Sequence, residues 1–176
     1  MKTRFLMLAT PVFAQTTPAA TATPAATTPA AAPTPTPPAR GPVLELALEA
    51  ARVAVQNCTE RNQRIGVSVL DSAGVAKVVL GADGVSARGV ASSTAKALTA
   101  LQFKAATSAL AEQVKTDKAL ADSIAANTSL NARAGGILVK VGDEIIGAIG
   151  VGGARGSDVD EACAVAGLQA VQSRLK

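Results

Sequence analysis

The chain has no histidine, tyrosine or tryptophan, and Phe103 is its only aromatic beyond residue 13. Without histidine, neither a Ser-His nor a Cys-His nucleophile pair can exist. With a single aromatic, base stacking on a platform of rings is close to excluded. Cys58 and Cys163 are the only cysteines, too few and too far apart to anchor a four-ligand zinc site. No stretch approaches the roughly 20 apolar residues of a membrane span, so no membrane partner is expected. A conventional enzyme is not the expected reading, and no catalytic residue or catalytic metal site is assigned.

Proline is missing from most of the chain as well. All 9 prolines fall between Pro11 and Pro42, which divides the 176 residues into a front and a body. Three of the 17 basic residues, Lys2, Arg4 and Arg40, lie in the front, and none of the 13 acidic ones does. The body therefore carries 14 basic against 13 acidic residues, and the net charge of +4 is mostly a property of the front. Nothing in that balance calls for nucleic acid as a partner. Residues 1–14 have Lys2 and Arg4, an apolar run from Phe5 and a cleavage-like Val12-Phe13-Ala14, the pattern of a signal peptide. A secreted or periplasmic location is the expectation. Residues 15–42 are almost wholly Ala, Thr and Pro, a composition that buries too little apolar surface to fold and reads as a disordered linker.

Within the body, residues 43–176, hydrophobic periodicity gives alternating helices and hairpins. Leu44 to about Asn62 reads as a helix with Leu44, Leu48, Ala51, Val55 and Cys58 as its buried stripe. Ile65 to Gly81 reads as a hairpin turning at Asp71 to Gly74, and Ala82 to Arg88 as a loop or short edge strand. A helix from about Val90 to Phe103 is expected to bring Ala95, Leu98, Leu101 and Gln102 together. Two short helices, Thr107 to Val114 and Asp117 to Ala126, precede a polar loop. Gly135 to Ser157 then forms the organising stretch, a hairpin turning at Gly142-Asp143 followed by a glycine-rich turn. Ile145 to Val151 is apolar on both parities, as a central strand buried on both faces would be. Asp158 to Leu175 closes the chain as a helix, with Ser157 as its cap and Asp158, Asp160 and Glu161 favourable near its N-terminus. Its apolar stripe carries Cys163 with Val159, Ala166 and Ala170. Hairpins separated by helices indicate an α+β domain built on an antiparallel sheet.

The glycine-rich turn, Gly150 to Ser157, superficially resembles a dinucleotide fingerprint. The following helix ends the chain, so no parallel strand completes a βαβ unit, and that reading fails. What remains is a turn in which Gly152, Gly153 and Arg155, with the N-terminus of the last helix, could hold a carboxylate or phosphate. A tight strand-to-helix turn would require the same small residues without any ligand.

The motif GAIGVxG at Gly147 to Gly153, with the earlier Gly135-Gly136 and the trailing Asp160-Glu161-Ala162-Cys163-Ala164 run, resembles the GlcG/HbpS family of small haem-binding and haem-degrading domains. Ala95 to Ala100, Phe103 and Thr107 to Leu110 extend the resemblance over roughly Leu44 to Leu175. The resemblance implies a profilin-like α+β fold, a homo-oligomer and haem or a related tetrapyrrole as cofactor and partner; one branch, the PduO-type proteins, is fused to corrinoid adenosyltransferases. It also implies Thr99 as a weak oxygen donor to haem iron and Lys96 as a propionate partner, with Phe103 beside them. Leu138, Gly142-Asp143 and Gly152 depart from the family pattern. Haem iron is ordinarily held by His, Cys, Met or Tyr, of which only the two cysteines occur after Met7. The expected function is an exported, oligomeric tetrapyrrole-binding protein for sequestration or sensing, able to support haem degradation only through the haem's own oxidative chemistry. The alternative is a non-catalytic module that binds a small anion or a protein partner at the glycine-rich turn.

The profilin-like arrangement would lay the first and last helices antiparallel on one sheet face, bringing Cys58 and Cys163 within bonding distance. An oxidising compartment would allow the bridge. Two buried thiols acting as small hydrophobes remain the other reading.

Overall fold

The computed structural model describes residues 38–176; the expected signal peptide and most of the linker lie outside them. Five α-helices and four strands follow in the order α1 Leu44–Glu60, β1 Gly66–Asp71, β2 Ala76–Gly81, α2 Ala87–Phe103, α3 Thr107–Gln113, α4 Lys118–Ala125, β3 Gly136–Val141, β4 Glu144–Gly152 and α5 Ser157–Val171. The strands form one sheet in the order β2-β1-β4-β3, and every pairing is antiparallel. The α+β reading holds, and β4 is central, as its apolar residues on both parities require. Among the described residues no helix is long and apolar enough to cross a membrane.

The pleat separates two cores. Val67, Val69, Ile149 and Val151 point to the face covered by α1 and α5. Leu70 and Ala148 point to the other face, against Ala97 and Ala100 of α2. On that second face, Gly66, Gly136, Gly150 and Gly152 present bare backbone to α2. A Cβ on Gly150 would overlap the Ser93 carbonyl, and one on Gly136 would overlap the carbonyl of Lys96. The alternating glycines of the GAIGVGG stretch therefore let α2 lie directly on the strands.

Close approach also corrects the expected helix faces. The buried residues of α1 are Ala47, Ala50, Ala51, Ala54 and Cys58, while Leu44 is exposed and Leu48 and Val55 are half-buried. In α5 the buried set is Asp160, Cys163, Ala164, Gly167 and Val171, and Ala170 is exposed. These two helices meet through their small side chains: a Cβ on Gly167 would strike the Ala50 carbonyl. On α2, Ser93, Lys96, Ala97, Thr99 and Ala100 are buried and Gln102 is exposed. In each helix the sheet or neighbour selects the small residues, and the larger ones cover the seam.

Local signals are otherwise followed closely. Helix α2 starts at Ala87 rather than near Val90, because Ser86 Oγ caps it by accepting from the Gly89 N–H at 3.1 Å. Ser157 is the first residue of α5 instead of its cap; Gly156 precedes it and no side chain caps that end. The β3–β4 turn takes positive φ at Gly142 (+58°) and not at Asp143. Cys58 and Cys163 form a disulfide with Cα atoms 5.7 Å apart, tying the end of α1 to α5.

Candidate functional site

Where β4 runs out, the N-terminal halves of α2 and α5 and the loop before β3 enclose a cleft of about 410 Å³. Arg88, Ser92 and Lys96 reach it from α2, Asn131 and Arg133 from the loop, and Gly153 from the turn after β4. Two other grooves, between α1 and β2 and beside the last residues of the chain, have mostly apolar walls, whereas the walls of this cleft are mostly polar.

The floor of the cleft is fixed by two buried connections. Lys96 Nζ donates to Asp160 Oδ2 at 2.6 Å, and Asp160 Oδ1 accepts the Ala154 N–H at 2.9 Å. Burial pushes the Asp160 carboxyl above the usual carboxylate range, against the opposing pull of the Lys96 ammonium and the Ala154 N–H. Thr99 Oγ1 donates to the Ala95 carbonyl at 2.7 Å and accepts the Asn131 N–H at 2.8 Å. Asn131 in turn donates from Nδ2 to Ser92 Oγ at 3.0 Å and accepts the Arg133 N–H on Oδ1, also at 3.0 Å. Thr99 thereby braces the loop that carries Arg133 to the cleft.

Above that floor the charge is one-sided. The Lys96–Asp160 pair neutralises itself, and among the described residues Arg88 and Arg133 make no ion pair. Arg88 also stands in the first turn of α2, where the helix dipole disfavours a cation. The arrangement suits an anion with two or more carboxylate or phosphate oxygens, for which guanidinium groups are the fitting partners.

A family model described as haem degrading protein HbpS-like matches residues 43–169. The chain belongs to that family. HbpS of Streptomyces reticuli, solved as a double mutant, is 32% identical, covers 81% of this chain and 99% of its own, and superposes with a TM-score of 0.69. Klebsiella pneumoniae protein ORFY (23% identity, 83% and 100% coverage, TM-score 0.71) and the haem complex of PduOC (21%, 72% and 91%, TM-score 0.65) share the fold. No curated protein sequence matches the chain.

In this HbpS-like chain the residues singled out from sequence are only partly brought together. Lys96 and Gly153 line the cleft, and Gly152 is buried beside it against α2. Thr99 lies beneath, with its side chain fully buried. Phe103 ends α2, eleven residues on from Ser92 and about 16 Å along the axis. Arg155 is exposed on the turn, its N–H donating to Gln63 Oε1 at 3.0 Å, and it is not among the residues of the cleft. Lys96 is 2% exposed, so it is no helix-surface lysine. Arg88, Ser92, Asn131 and Arg133 were not anticipated. Loop residues carry no periodic signal, and the one available clue was a cation in the first turn of a helix.

Haem fits this site in part. The carboxylates match Arg88 and Arg133. The iron finds no firm donor: the described residues contain no His, Tyr or Met, both cysteines are bonded to each other, and no cluster of metal-ligating side chains occurs among them.

Proposed function

We propose that the chain is a tetrapyrrole-binding protein that takes haem or a related macrocycle by its carboxylates, for sequestration or sensing. Membership of the HbpS-like family over residues 43–169 carries the reading. The cleft with Arg88 and Arg133 supports it by supplying the cations that propionates need. Export and assembly into a homo-oligomer belong to the same proposal, resting on the N-terminal sequence and on the expectation attached to the family. Haemin titrated into the full chain should give a saturable Soret change, and a merely linear, non-saturating response would overturn the reading. Light scattering at micromolar concentration tests the oligomer, which a monomeric mass would exclude.

The polar character of the cleft favours a second reading, a module for a smaller anion. Native mass spectrometry of the purified protein separates the two: a copurifying tetrapyrrole supports the first, and a small di- or tricarboxylate or phosphate compound supports the second.

A further inference from the structure

We infer that this chain recognises a tetrapyrrole through its carboxylates and is indifferent to the metal the macrocycle carries. The inference rests on the tetrapyrrole reading and adds to it that the central metal takes no part in recognition. The donors that hold haem iron firmly are histidine, cysteine, methionine and tyrosine. Histidine and tyrosine are absent from all 176 residues, and the methionines are Met1 and Met7. Cys58 and Cys163 are joined in a disulfide and fully buried between α1 and α5, on the sheet face opposite α2. A second copy of the chain brings the same residues, so assembly adds no donor.

The two side chains that the family resemblance offers to haem, Thr99 and Lys96, are already committed. The Thr99 hydroxyl spends its proton on the Ala95 carbonyl, accepts from Asn131 and is 0% exposed. The Lys96 amine is held by Asp160. Arg88 and Arg133 are different: both are exposed at the cleft, and among the described residues neither has an acidic partner. Two arginines lining one cleft, both without an acidic partner, select for carboxylates and against the esterified ligand, whatever sits at the centre of the ring.

The test uses the full chain with three probes: haemin, metal-free protoporphyrin IX and its dimethyl ester. The Soret band and the porphyrin emission lie in the visible, where a polypeptide neither absorbs nor emits, so both report binding directly. Haemin and the metal-free acid are expected to bind within fivefold of each other, and the ester at least tenfold more weakly. The R88Q/R133Q double variant should weaken both acids at least tenfold, while R52Q on α1, remote from the cleft, should not. A preference for haemin above fivefold overturns metal indifference. Equal binding that survives esterification or the double substitution overturns recognition through the carboxylates at this cleft. Saturable binding of none of the three removes the tetrapyrrole reading itself, a result distinct from the other two.

Discussion

Lys96 and Asp160 form an ion pair across the junction of α2 and α5, Nζ to Oδ2 at 2.6 Å, with 2% and 4% of the two side chains exposed. The pair lies 64 residues apart in sequence and closes the floor of the cleft. Taking both charges out of water is costly, so the pair holds the two helices in register more than it adds to stability. Removing one partner is a different matter. Lys96→Met leaves a buried carboxylate without its counter-charge, and a loss of about 3–5 kcal/mol is expected at neutral pH.

The Asp160 carboxyl also makes stability depend on pH, and the dependence has a definite sign. Burial, the dominant influence, raises the Asp160 carboxyl above its ordinary value. The folded state then takes up a proton before the unfolded state does as the pH falls. This residue's contribution to stability is complete below the ordinary carboxylate value and is lost as pH rises through the raised one. Urea unfolding of wild type and Asp160→Asn at about pH 7 and about pH 4 should therefore show the gap between them widening on acidification. A gap that narrows would mean that the Lys96 charge outweighs burial.

The disulfide gives a prediction independent of the cleft. Cys58 and Cys163 are separated by 105 positions, and in the chain-entropy model a loop of that size stabilises by about 4.7 kcal/mol. Unfolded, unreduced protein should contain no titratable thiol. A strong reductant, or the Cys58→Ala/Cys163→Ala double substitution, should lower the unfolding midpoint by a comparable free energy. Two free thiols per chain would contradict the bridge.

Thr99 has a role that binding assays alone would misread. Its hydroxyl accepts the N–H of Asn131, and Asn131 shapes the loop that presents Arg133. Thr99→Val keeps the shape and leaves that N–H without its partner, a loss of about 1–3 kcal/mol. Faster hydrogen exchange over residues 127–134 should accompany it, with α1 and α5 unaffected. Thr99→Ser, which keeps the hydroxyl, should restore the protection.

How much of this was legible in the sequence depends on the range of the signal. The central position of β4 followed from its double parity, and the turns at Asp71 to Gly74 and Gly142-Asp143 from turn chemistry. Helix existence was readable from the periodicity; helix orientation was less so. A hydrophobic stripe weights Leu48 and Val55 above Ala47 and Ala54, whereas α1 buries the alanines because α5 approaches to backbone distance. Lys96 stood out beside Thr99, but nothing local announces a partner on α5. Arg88 and Arg133 enter the cleft because the fold brings a helix start and a loop together, a juxtaposition that no spacing within either segment encodes.

Two glycines in the same hairpin should respond in opposite degree to the same substitution. Gly142 has φ of +58° and open space around it, so Gly142→Ala meets no atom within 4 Å. It carries only the left-handed backbone penalty, about 1 kcal/mol. Gly150 has ordinary backbone and no space: its Cβ would overlap the Ser93 carbonyl and stand 2.7 Å from the Ala97 nitrogen. Relief requires α2 to lift from β4, which would also move Ser92 and Lys96 at the cleft. Gly150→Ala should lose about 3 kcal/mol, the upper part of the range for overpacking, and weaken ligand binding with it. Gly142→Ala should leave binding unchanged. Urea midpoints of the two variants decide the matter, since equal losses would mean that α2 does not rest on the glycine face of the sheet.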